Sequence, residues 1–384
     1  MNAHPLLLSR ERTFIYGGLL AAICLLQVKL VVAQGFGDWS AFWAAGATAG
    51  TRDLLDPQRH NAWMLHHHLL STIFPYLPGA AWLLLPIKSA PLALGYAVNF
   101  AVMAALTIAG ALLASKVYRI ARGLCVLFAF AWAPAIAALA TGQNSPLGFL
   151  LVMIAIAGIA ADSWGVAGVA VGVLLYKLPY ALPMVALLLL RRNWRALSIV
   201  ALCGAVWYAA SAAATAGDWH WPLHYADALR GYAGADARFN AMKAIGIPEL
   251  LTRAGVPQGA SILCGAALFL ASLPALMRRS KLEAASFVPL LGLAFGPHTL
   301  PYDLALMLPA LYYLMTHAPE PLRTRAVCAI YLVAPLWLLS GIIRFDVLAV
   351  VCDGLALVWL VKGVHESTAG PYIRIADPGN RSEA

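Results

Sequence analysis

Apolar runs of bilayer-crossing length recur along almost the whole chain, and clusters of Lys and Arg separate them at every second interval. A backbone surrounded by lipid must satisfy its hydrogen bonds internally, so such runs fold either as helices or as closed barrels. These runs are near the roughly 20 residues that a spanning helix requires. An all-α, polytopic transmembrane bundle is the expected fold. Composition agrees, since 62% of the 384 residues are hydrophobic and only 11% are charged, against about 25% charged in a soluble domain. A soluble cytosolic enzyme is excluded. The formal charge of +9 then reports loop cations that set topology, not a nucleic-acid surface.

The cationic clusters are Arg10/Arg12, Lys116/Arg119/Arg122, Arg191/Arg192/Arg195, Arg278/Arg279/Lys281, Arg323/Arg325, and Lys362, Arg374 and Arg381. They hold sixteen of the 26 basic residues, and the positive-inside rule assigns them to the cytoplasm. Segments able to cross twice lie between them: 124–140 with 147–161, 196–216 with 259–277, 284–296 with 304–316, and 326–340 with 345–361. The run from Gly165 to Leu190 is broken by Lys177, Pro179 and Pro183 and reads as two short helices meeting near Lys177. Phe74 to Ile87 contains three prolines and reads as re-entrant or interfacial. With the opening run from Phe14 to Ala33 kept as a span rather than a cleaved leader, the count is about twelve, with both termini cytoplasmic. A single transmembrane domain over 1–363 and a disordered tail over 364–384 complete the plan.

This topology leaves two large extracytoplasmic loops, 34–74 and 217–258, and chemistry is sought there. Asp56-Pro57 is an N-cap followed by proline at N1, so the first loop carries helices. Asp38 follows the first span with Phe36, Trp39 and Trp43 around it, and two roles are open: N-cap of a helix starting at Trp39, or a general base at the membrane face. Lys177 is a lone ammonium in an apolar setting, which calls for an anionic partner or a snorkelling position. The turns Gly142-Gln143-Asn144-Ser145-Pro146 and Pro297-His298-Thr299-Leu300-Pro301-Tyr302-Asp303 place amides, an imidazole and a carboxylate on the same side. Asp303 also suits a helix cap. His66, His67 and His68 are adjacent and point about 100° apart on a helix, which disfavours a shared metal ion. The six cysteines show no ligand spacing and read as small buried hydrophobes.

In order along the chain, the segments Gly37 to Gly46, Phe74 to Pro78, Gly142 to Asn144, Gly165 to Arg192 and Gly296 to Asp303 resemble glycosyltransferase family 87, the polyprenol-phosphate-mannose-dependent mannosyltransferases. The resemblance implies a GT-C fold and inverting transfer, mannose by default, from a polyprenyl-phosphate sugar to a lipid or glycan acceptor on the extracytoplasmic face of the inner membrane. It implies no nucleotide sugar, no nucleic acid, no cofactor and no obligatory metal. Carried onto this chain, the catalytic aspartate corresponds to Asp38. Lys177 and His298 fall where the donor phosphate is neutralised. Trp39, Trp43, Tyr76, Gln143, Asn144, Tyr302 and Asp303 fall along the substrate cavity. The Pro-His-Thr-Leu-Pro-Tyr-Asp turn departs from better-known members, which are richer there in Ser, Trp and His.

Two other classes fit parts of the pattern. A secondary transporter or flippase also carries intramembrane charge and broken helices, but an internal repeat is not seen. An O-antigen ligase-like enzyme shares a lipid-linked donor and uses a large late loop, for which 217–258 with its His and Arg residues is the candidate.

Overall fold

A computed structural model describes residues 38–69, 74–240, 243–317, 330–331 and 347–368, without side chains for 232–240, 347 and 362–368. The expected span 14–33, and 326–340 apart from Ile330 and Tyr331, lie outside the described residues. The fold is all-α: among the described residues the sole β feature is an isolated bridge between Ile245 and Thr299. The helices are α1 (Trp39–Thr48), α2 (Pro57–His66), α3 (Leu92–Tyr118), α4 (Arg122–Ala131), α5 (Ala133–Thr141), α6 (Ser145–Ala160), α7 (Trp164–Leu174), α8 (Leu178–Leu190), α9 (Trp194–Ala214), α10 (Trp221–Asn240), α11 (Ile247–Arg253), α12 (Gln258–Arg278), α13 (Lys281–Phe295), α14 (Leu308–His317) and α15 (Val347–Thr368). Helix α15 continues to Thr368, into the segment expected to be tail.

Helices α3, α9 and α12 are each long and apolar enough to cross a membrane unaided, and α4 with α5 makes a fourth if the bent pair is one span. Large apolar side chains on these helices point away from the bundle, among them Leu202 at 66% and Leu263 at 71% exposure. Outward Leu on a helix with little polar surface is what lipid selects. Cys264, expected to be buried, is exposed on that face of α12, while Cys125 and Cys352 are buried. The other apolar helical stretches are shorter, 10–17 residues, Leu348–Val361 of α15 among them.

The break at Lys177 takes the expected form. Trp207 Nε1 donates to the Gly172 carbonyl at 3.1 Å, and Gly168 lies against Ala196 and Gly172 against Val200 and Cys203, so α7 and α9 run parallel. A Cβ on Gly172 would come within 2.5 Å of Cys203 Cβ, so glycine there sets how closely these helices approach. Parallel packing requires α8 to return to the level from which α7 started, and both ends of the α7–α8 pair share one side. At that end Lys281 pairs with Asp162, Arg191 donates to the carbonyls of Leu276 and Arg279, and Tyr118 bonds Ser286 at 2.7 Å. The cationic clusters that the structure describes therefore gather at one end of the bundle.

Two segments differ from a plain span. The run 124–140 is bent by 67° between α4 and α5 at Trp132, where Pro134 in the first turn of α5 stops α4 from continuing. Trp132 Nε1 fixes the bend by donating to the Leu304 carbonyl at 2.8 Å. The proline-rich run forms a 3₁₀ helix at Pro78–Ile87, about 20 Å long and too short for a bilayer core of about 30 Å. It packs on the end of α9, where Gly79 N donates to Ser211 Oγ at 3.0 Å and Trp82 Nε1 to the Ala210 carbonyl at 3.1 Å.

This arrangement is testable without substrate. In a cysteine-free background, a membrane-impermeant maleimide is expected to label Asp53→Cys on intact cells and Arg192→Cys only after permeabilisation; labelling of both on intact cells would overturn the span map.

Candidate active site

At the end of the bundle opposite the cationic clusters, the first loop is folded by α1 and α2. Asp56 caps α2 through hydrogen bonds from Gln58 N and Arg59 N at 2.9 and 3.1 Å. Asp38 does not cap α1: its backbone is already helical and its carboxylate takes no N–H from the helix. Instead Gln143 Nε2 donates to Asp38 Oδ2 at 2.6 Å, across 105 positions of sequence. The other end of that amide is held too, since Tyr76 OH donates to Gln143 Oε1 at 2.9 Å. The Gln143 orientation is thereby fixed, with its NH₂ turned to the acid.

Gly142 makes this contact possible. Its φ of +77° is left-handed, and a Cβ there would fall 2.7 Å from Trp39 Cβ. Asn99 Nδ2 anchors the Gly142 carbonyl at 3.2 Å, so the turn is pinned from α3 while it presses on the start of α1.

Lys177 sits at the joint between α7 and α8. Its ammonium donates to Asp303 Oδ1 at 2.5 Å and to Tyr180 OH at 2.8 Å, and lies over the rings of Tyr180, Tyr76 and Tyr302 at 4.1, 5.4 and 5.6 Å. Tyr180 OH also donates to Asp303 Oδ1, which commits its one proton, so the Ser145 hydroxyl at 2.8 Å is the donor to Tyr180. Asp303 Oδ2 accepts from Leu300 N at 2.9 Å and so also supports the turn of the 3₁₀ helix Pro301–Met307, combining both roles the sequence left open. A buried carboxylate with a cation and several donors is well compensated.

The Tyr76 side chain joins the two halves, bonding the amide that holds Asp38 and offering its ring to Lys177. Burial drives the Asp38 carboxyl above its usual range, opposed by the Gln143 hydrogen bond and by the charges of Lys243 and Lys177. Asn144 Oδ1 is buried with no hydrogen-bond partner among the described residues, while its backbone carbonyl accepts from Tyr176 OH at 3.2 Å. An orphaned acceptor beside a carboxylate, an ammonium and a ring of tyrosines suits a polyhydroxyl ligand, whose hydroxyls donate to it.

Asp38, Tyr76, Gln143, Asn144, Lys177, Tyr302 and Asp303 thus form one constellation. Three other expected residues sit differently. Trp39 is fully buried, donates to the Leu92 carbonyl at 3.1 Å and packs on Gly95 and Gly142, so its indole braces the loop instead of covering a sugar. Trp43 donates to the Ala90 carbonyl at 3.2 Å and packs on Trp63. His298 is exposed, at a φ of +57°, and its backbone N–H bonds Glu249 of the second loop at 3.0 Å. Tyr180, Ser145 and Lys243 were not anticipated. Tyr180 stands three residues after Lys177, one helical turn on, a spacing that brings the two together on the face carrying the cation.

A family model described as Glycosyltransferase family 87 matches residues 74–301, more than half of the chain. The match takes in Tyr76, Gln143, Asn144, Lys177 and His298, while Asp38, Tyr302 and Asp303 lie beyond its limits. Neither the curated proteins nor the solved structures contain a match.

Proposed function

The chain belongs to glycosyltransferase family 87, and from that premise we propose that it moves a sugar, mannose in the first instance, from a polyprenyl-phosphate donor to a lipid or glycan acceptor. The reaction is placed on the extracytoplasmic face of a bacterial-type plasma membrane, in a GT-C bundle of about twelve spans with both termini inside. The positive-inside rule supports that orientation, because the described cationic clusters lie at the end away from Asp38.

The observation that carries the reading is the pairing, in one buried polar cluster, of a carboxylate that forms no ion pair among the described residues and an ammonium recessed among tyrosines. A glycosyl phosphate already carries its leaving group, so the protein has to hold the phosphate, offset its charge and take a proton from the acceptor hydroxyl. Asp38, raised in basicity by burial, takes that proton while the hydroxyl oxygen attacks the anomeric carbon from the face opposite the phosphate, inverting it. Lys177 uses two of its three N–H bonds on Asp303 and Tyr180, and the third serves a phosphate oxygen. Asn144 and Tyr302 meet the sugar hydroxyls, and His298 at the rim adds a second donor for phosphate. No metal or cofactor enters this scheme.

The test is transfer by purified protein from polyprenyl-phosphate mannose, glucose and galactose, with the corresponding nucleotide sugars as controls. Turnover with a lipid-linked donor alone supports the reading. Transfer from a nucleotide sugar, or binding of lipid-linked sugar with vectorial movement and no bond formation, would replace it.

A further inference from the structure

The opposite end of the bundle holds a feature that sugar transfer does not use. Between α6 and α7, with α9 at its mouth, runs an open trough of about 640 Å³ lined by Leu151 and Ile154 on one wall and Val166, Val169 and Val173 on the other. The three valines follow helical spacing and are 48%, 50% and 36% exposed, so this wall meets lipid tails directly.

The mouth is polar and aromatic: Asp162, Ser163, Trp164 and Arg195 line it. Trp164 and the 66% exposed Trp194 are residues that settle at the headgroup level, which places the mouth at the membrane surface. The one acid there is already balanced, since Lys281 pairs with Asp162 and also lies 5.7 Å from the Trp164 ring. Arg195 is exposed and forms no ion pair among the described residues, and the Ser163 hydroxyl caps no backbone N–H. Arg192, also exposed, adds positive charge three positions earlier. A guanidinium over a hydrocarbon-lined trough complements a phosphate carrying a negative charge that no choline offsets.

We infer that this trough is a binding site for an anionic phospholipid of the leaflet on the Arg195 side, one acyl chain lying along Val166, Val169 and Val173 and the phosphodiester bonded by Arg195 and Ser163. The site is separate from the Asp38–Lys177 cluster, which lies at the other end of α7, about 17 Å away along an 11-residue helix.

The test is native mass spectrometry of the full-length protein titrated with palmitoyl-oleoyl phosphatidylglycerol or the phosphatidylcholine of the same chains. Wild type is expected to prefer phosphatidylglycerol by roughly fivefold or more, the scale of one basic side chain near a membrane surface. Arg195→Gln, at an exposed position, is expected to lose that preference, and Val169→Trp, which fills the trough, to weaken both lipids. Equal binding of the two lipids by wild type, an unchanged preference in Arg195→Gln, or displacement of lipid by inorganic phosphate alone would overturn the inference.

Discussion

Replacing Asp38 by Asn is expected to reduce sugar transfer by about 10²–10⁴-fold, the usual contribution of a positioned general base, while the protein unfolds at an unchanged temperature. The substitution is isosteric, and an Asn carbonyl oxygen still accepts the Gln143 hydrogen bond, so the loop keeps its anchor. What disappears is the capacity to take a proton. Turnover near the wild-type level would remove Asp38 from the chemistry and leave it a loop fastener. The pH profile adds an independent reading. Burial holds the carboxyl above its usual range while the Gln143 amide pulls it down, so transfer falls as pH drops through that raised value. Gln143→Leu removes the lowering influence and is expected to move the acid limb to higher pH. A limb that stays or moves to lower pH counts against Asp38 as the titrating base.

Lys177→Met is expected to abolish transfer and to weaken the fold together, and the two losses can be separated. Asp303 is 5% exposed and would be left with no cation, a loss of about 3–5 kcal/mol when one partner of a buried pair is removed. Adding Asp303→Asn neutralises the stranded carboxylate: its amide oxygen, in the place of Oδ2, still accepts from Leu300 N, and its NH₂, in the place of Oδ1, donates to the Tyr180 hydroxyl. The double variant is therefore expected to recover most of the stability in a detergent melt. Transfer should stay at least about 10²-fold down, because the charge opposite the leaving phosphate is still missing. Activity returning with stability would make Lys177 a structural ion alone.

Much of this was legible in the sequence where local chemistry forces a single outcome. Lys177 and Pro179 inside an apolar run cannot continue a lipid-facing helix, and the chain reverses there as expected. Asp56 before Pro57 made the cap that its position specifies. The site itself was only half legible, because its bonds join distant segments. Nothing near Asp38 announces a partner 105 residues on, and local pattern favoured the cap that the structure does not form. The resemblance puts Trp39 along the substrate cavity, but the space left by Gly95 and Gly142 draws its ring inward. Tyr180 has no local sign of its role, because the carboxylate it meets is 123 residues away in sequence. Pro134 did hold the signal for the bend at Trp132, yet an unbroken apolar run concealed it.

The indole of Trp132, bonded to the carbonyl one residue past Asp303, stands at one end of α5, and Gln143 follows the other. Nine residues, about 13 Å of helix, brace the turn that holds Asp38 against the segment that holds Lys177. A change that lengthens or tilts that strut would shift Asp38 and Lys177 against each other without touching either, so the spacing within the candidate site depends on a helix that lends no side chain to it.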